Sequence, residues 1–167
     1  MSSVYRNILV AVDGSPDADA ALAHAAALAR DQHARLTLLT AVPPIPATAL
    51  LATGAAPPRG EVVKHYSDML RRATESLPPD VSVTTLLVEG PAAKALIERA
   101  KSGAYDLIVM GSHGHGRLHQ SLLGCVSQKV LHASPIPVLL TRAPVEQPAP
   151  APKPAMESSL DISPMTS

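Results

Sequence analysis

The chain predicts an α/β domain: a doubly wound, Rossmann-like, five-stranded parallel sheet of order 3-2-1-4-5, with helices on both faces. Three observations lead there. Apolar runs of strand length alternate with longer stretches of helical period. No two apolar runs are joined by a hairpin signal, so the connections are crossovers, and right-handed crossovers leave few topologies. At 167 residues the chain fits one domain with a proper core.

Asn7-Ile-Leu-Val-Ala-Val12 is continuously apolar, as expected of a strand covered on both faces. Asp13-Gly-Ser-Pro16 breaks it, with Ser15 suited to the N-cap and Pro16 to the first helical position. The Ala-rich stretch from Asp17 to about Gln32 follows as a helix, its stripe made by Ala21, Leu22, Ala25, Leu28 and Ala29. Arg35 to Val42 is the second strand. The segment from Pro43 to Pro58 is long for a loop, which marks it as a functional flap or a locally mobile connection. Gly60 to Leu77 is a helix with its stripe on Val63, Tyr66, Met69, Leu70 and Ala73, stopped by Pro78-Pro79.

Val81 to Val88 alternates at first and then runs apolar, which suits an edge strand. Gly90-Pro91 opens a short helix to about Ser102, with Gly103 placed to cap it. Asp106 to Met110 is the fourth strand. The fourth helix begins near Cys125, its apolar pattern running from Leu122 to about His132. Ile136 to Thr141 is the fifth strand, and Pro135 and Pro137 put it at an edge. Residues 1–142 thus form the domain, and 143–167, proline-dense and then polar, a flexible tail.

Composition removes several function classes. Aromatics are 2% of the chain, so no stacking platform for single-stranded nucleic acid is available. Formal net charge is +0 and no basic block occurs, which argues against duplex nucleic acid and anionic membranes as partners. No apolar stretch reaches membrane-spanning length, and Met1 to Asn7 lacks the pattern of a secretion signal. A lone cysteine allows no internal disulfide, so a cytoplasmic, reduced setting is expected.

The segment Gly111-Ser-His-Gly-His-Gly-Arg117, with Leu122-Leu-Gly-Cys125 after it, lies between a strand and a helix start. Glycines permit close backbone approach to a ligand. A helix N-terminus adds unpaired N–H groups and the positive end of a dipole, which together suit phosphate. In the expected strand order this loop and the one at Asp13 meet where strands one and four diverge, the usual ligand crevice of such sheets.

With these elements in place the chain resembles the universal stress protein family over about residues 4–142. The stretches that carry the resemblance are Ile8-Leu-Val-Ala-Val-Asp-Gly-Ser15, Gly111 to Arg117, Leu123-Gly-Cys-Val-Ser127 and Pro135-Ile-Pro-Val-Leu-Leu140. Gly111, Gly114 and Gly124 stand at the spacing of the family's ATP-binding branch: Gly, two residues, Gly, nine residues, Gly, then Ser or Thr. The resemblance implies an adenine-nucleotide site, ATP with or without Mg²⁺, and a homodimer through the fifth strand. It puts Asp13 and Val42 at the adenosine, with Ala11, Val12 and Met110 beside them. Gly111, Ser112, Gly114 and Gly116 go around ribose and phosphates, with Arg117 in reach of a phosphate. Gly124, Cys125, Val126 and Ser127 present N–H groups and one hydroxyl to the phosphates.

Cys125 departs from the pattern, which calls for Ser or Thr. A thiol is a poorer donor than a hydroxyl, so weakened phosphate binding is expected, and cAMP becomes an alternative ligand. A thiol at a helix N-terminus can also be reactive, which would let its redox state gate binding. His113, His115 and His119 lie close together but have no cysteine or acid nearby to complete a metal set. The chain has no Gly-x-x-x-x-Gly-Lys-Ser/Thr loop, no Gly-x-Ser-x-Gly elbow and no evident catalytic base. The expectation is therefore a nucleotide-dependent regulatory module with an unidentified protein partner, rather than a dedicated enzyme. A slow ATPase and a nucleotide-free dimeric scaffold are the readings from other classes.

Overall fold

The computed structural model describes residues 4–44, 57–114 and 123–144. The elements run β1 (Asn7–Ala11), α1 (Pro16–Gln32), β2 (Arg35–Val42), α2 (Arg59–Glu75), β3 (Val83–Glu89), α3 (Ala92–Lys101), β4 (Leu107–Gly111), α4 (Cys125–Ala133) and β5 (Val138–Thr141). All strand pairs are parallel and the sheet order is β3-β2-β1-β4-β5, as the sequence predicts.

The apolar run of β1 serves two layers because side chains alternate across a strand. Ile8 and Val10 face the layer formed by α1 and α2, where Ala21, Ala25, Met69 and Leu70 are buried. Leu9 faces the other layer, with Leu96 and Ala100 of α3 and Val130 of α4. Small alanines on α1 let that helix lie close to the sheet, and this closeness shapes the site below.

Local chemistry sets the ends. The Ser15 side chain accepts the Ala18 N–H at 3.2 Å, with Pro16 in the first turn of α1. The far end of α1 closes on His33, whose φ is 55°. Gly90 and Gly103 take φ of +110° and +74° on either side of α3, conformations that L side chains rarely adopt. β3 starts at Val83, two residues later than the pattern suggests, because the Val81 N–H turns back to the Pro78 carbonyl at 3.1 Å. β5 starts at Val138 rather than Ile136; Pro137 precedes the strand and only accepts, from the Ile108 N–H at 3.0 Å. α4 begins at Cys125, where the Gly124 N–H is tied to the Ser112 carbonyl at 2.8 Å. Among the described residues no helix is long and apolar enough to cross a membrane.

Candidate functional site

β1 and β4 are neighbours in the sheet, Leu9 opposite Ile108, and their crossovers leave on opposite faces. Beyond their carboxyl ends lies a cleft of about 410 Å³, within the size range of small-ligand sites. Ala11, Val12 and Asp13 form one wall, Gly111, His113 and Gly114 the floor, and Gly124 to Ser127 the wall opposite. Two loops about a hundred residues apart in sequence thus meet at the expected crevice.

The three spaced glycines have three different neighbours. A Cβ on Gly114 would stand 2.6 Å from Asp13 Oδ2. Asp13 has little room to withdraw, because its Oδ1 accepts the Ser15 N–H at 2.9 Å and the Ser15 hydroxyl at 2.6 Å. A Cβ on Gly124 would stand 3.2 Å from the Ser112 carbonyl and 3.4 Å from His113 Cα, so this glycine lets the start of α4 approach the β4 loop. A Cβ on Gly111 would strike the first turn of α1, 2.8 Å from both Asp17 C and Asp17 Cβ. Gly111 borders the cleft, but what its missing side chain admits is a helix.

α4 starts at this wall with Gly124 as N-cap and no side-chain cap bond. Its first-turn N–H groups therefore lack the usual capping oxygen. Cys125 and Val126 are exposed there. The Ser127 hydroxyl is buried and lies 3.0 Å from both the Gly111 and Ser112 carbonyls, so it ties α4 to the end of β4. Val42 and Met110 are core residues whose side chains are buried and stand behind the cleft walls. The Val42 carbonyl accepts the Gly90 N–H at 3.0 Å. Ser112 is also buried and turns away from the cleft. Gly116 and Arg117 lie outside the described residues, as do His115, His119 and the segment 45–56.

Sequence reasoning passed over Asp17. It is buried, and its carboxylate accepts the Ser112 hydroxyl at 2.9 Å, the His113 N–H at 3.1 Å and the Ala143 N–H at 2.9 Å. Its own carbonyl accepts the Thr141 hydroxyl at 3.0 Å. One residue therefore joins α1, the β4 loop and the end of β5. Burial by itself pushes the Asp17 carboxyl up, but the N–H of Ala143, the Ser112 hydroxyl and the N–H and ring of His113 outweigh it and hold it below the ordinary carboxylate value. A carboxyl depressed in the fold contributes stability that is present above its unfolded value, near about 3.9, and lost as pH falls through the folded value. Asp17→Asn should accordingly flatten the loss of stability below about pH 4. Urea unfolding at a series of acid pH values checks it, and an unchanged slope would count against this network.

A larger groove, about 820 Å³, runs between α1 and α2 and shares Val12 with the cleft. Its walls are mainly alanines, Leu22, Met69 and exposed arginines, and Gly14 and the acidic Asp19 at the start of α1 also line it. Size favours the groove; converging backbone donors favour the cleft, and donors are what fix a polar ligand.

The model of the universal stress protein family matches residues 4–142. The chain belongs to the universal stress protein family. A universal stress protein of Thermus aquaticus is 35% identical over 142 residues, covering 83% of this chain and 100% of that protein. Universal stress protein UspA from Lactobacillus plantarum superposes with a TM-score of 0.67 at 27% identity, covering 83% of this chain and 98% of that one. A universal stress protein solved in complex with cAMP matches with a TM-score of 0.56 at 26% identity, covering 84% of this chain and 98% of its own. The family's glycine spacing therefore falls, in this member, on the three close approaches just described.

Proposed function

We propose that this universal stress protein binds an adenine nucleotide, ATP in the first instance, in the cleft between β1 and β4, and acts as a nucleotide-dependent regulatory module. The observation that carries the reading is the start of α4: a helix N-terminus without a side-chain cap, brought against the β4 loop by Gly124, at the sheet's switch point. Asp13 and the walls at Ala11 and Val12 would hold the nucleoside. The N–H groups of Cys125, Val126 and Ser127 would hold phosphate. The protein is a homodimer through the exposed edge of β5, and cytoplasmic; a sedimentation mass of one chain would remove the dimer from this account.

The test is isothermal titration of the full chain with ATP, cAMP and GTP. Saturable ATP binding with little heat from GTP supports the reading, and no binding of any adenine nucleotide overturns it. Ligand at about a hundred times its Kd should also add roughly 2.7 kcal/mol of stability.

cAMP is the second reading. Cys125 stands where a hydroxyl would serve a polyphosphate, and a relative with 26% identity has been solved with cAMP. Cys125→Ser should tighten ATP roughly threefold to tenfold, the value of one net hydrogen bond, and leave cAMP nearly unmoved. Competition titrations read both numbers; a variant that changes neither would show that residue 125 meets phosphate only through its backbone.

A further inference from the structure

The groove between α1 and α2 is an apolar trough with opposite charges at its two ends. Both helices follow parallel strands and run back towards the sheet's amino end, so their residues mark distance along it. Leu22, Ala26 and Met69 are buried in its floor. Ala23 and Ala27 are exposed and leave the α1 wall without polar cover. Asp19 stands at the near end, beside the cleft, and Arg30 and Arg72 stand at the far end. Arg30 is paired with exposed Asp80 at 2.9 Å, whereas Arg72 makes no ion pair within the described residues. Apolar surface rimmed by charge in this way marks an interaction site.

Where the chain leaves the domain names the occupant. The Ala143 N–H donates to Asp17 Oδ1 at 2.9 Å, on the first turn of α1, and residues 145–167 follow from there. Asp17 and Asp19 are two positions apart, hence on opposite sides of the helix, so the chain has only to round α1, about 10 Å across, to enter the groove. The proline-rich stretch 145–152, which includes Glu146, spans roughly 25 Å at about 3.1 Å per residue and covers that path. Lys153 comes next, then Met156, Glu157, Leu160 and Asp161. Asp19 and Arg30 are roughly 16 Å apart along α1. With Lys153 beside Asp19, an extended chain puts Glu157 and Asp161 about 12–25 Å further on, at the arginines. Basic then acidic in the tail therefore meets acidic then basic in the groove, with Met156 and Leu160 over the apolar floor. Tethering gives the segment an effective concentration on the order of mM, so a weak seat is enough. We infer that Lys153 to Asp161 is an internal docking segment whose seat is the α1–α2 groove. This holds whatever the cleft binds.

The test is paramagnetic broadening in the full chain. A nitroxide is attached at Ser159→Cys, with Cys125→Ser removing the native thiol. The amide signals of Ala27, Arg72 and Ser76, on the groove walls, should lose roughly half or more of their intensity, since a tethered seat is mostly filled. Those of α3, on the other face of the sheet, should keep theirs. Broadening spread evenly over both faces, or missing from the groove, would overturn the inference. Equal broadening when enriched, unlabelled chains are mixed with spin-labelled, unenriched ones would give the seat to another copy's tail and also overturn it. Arg72→Glu and Lys153→Glu are both exchanges outside the apolar floor, and unshifted sheet amides check that each variant is folded. Each should return most of the lost intensity at Ala27 and Ser76. Broadening that neither variant reduces would sink the charge-matched seat.

Discussion

Gly111→Ala lowers the thermal midpoint of the chain by about 10 °C. The added Cβ would stand 2.8 Å from Asp17 C, 2.8 Å from Asp17 Cβ and 2.9 Å from Ala18 N. Two of these are backbone atoms and the third is bonded directly to backbone, so no flexible side-chain end can swing aside. Nor can α1 withdraw freely. Its first turn is capped by Ser15 and tied through Asp17 to Ser112, His113 and Ala143. Overpacking of this kind costs about 3 kcal/mol, the upper part of its usual range. For a domain of this size each kcal/mol moves the midpoint by roughly 3 °C. Differential scanning calorimetry of the apo chain measures it. A midpoint within a degree or two of wild type would contradict the close approach of β4 and α1.

Asp17→Ala should be about as damaging, for a different reason. It removes no apolar side chain from the core. It strands the buried Ser112 hydroxyl and the partly buried Ala143 and His113 N–H groups, at up to about 1–3 kcal/mol for a donor left unmade. Ser112 can redirect its proton and water can reach some of the rest, so a total of about 3 kcal/mol is expected. Asp19→Ala is the matched comparison, since it is acidic, in the same first turn and exposed. It loses only the helix-dipole term, about 0.3–1 kcal/mol. Urea unfolding should show a large drop in midpoint for Asp17→Ala and a small one for Asp19→Ala, with m unchanged in both. Equal drops would mean that Asp17 acts only as a first-turn acid.

The sheet order was legible because each strand announced its exposure. β1 is apolar throughout and central, β3 alternates and lies at one edge, and the prolines before Val138 mark the other. The glycine spacing was legible as a candidate site through the family resemblance. What each glycine admits was not. Gly111 meets α1, Gly114 meets Asp13 and Gly124 meets the β4 loop, and those are approaches between segments that no local pattern connects. Asp17 was invisible in a similar way. In sequence it is one more acid in a helix's first turn, and its partners are 95, 96 and 126 residues away. Val42 and Met110, implied by the resemblance as site residues, are apolar side chains at strand ends, and there the core on one side and the cleft on the other compete for them. Both side chains went to the core.

The central claim is that an adenine nucleotide occupies the cleft at the start of α4, and the chain carries its own reporter. Cys125 is its single cysteine, exposed, and part of the cleft wall. The most direct measurement is the rate of maleimide alkylation of the full chain with and without nucleotide. With ATP at about ten times its Kd, alkylation should slow roughly tenfold, because only the empty fraction reacts, while GTP at the same concentration should leave the rate unchanged. An alkylation rate that ATP and cAMP both fail to slow would contradict the claim.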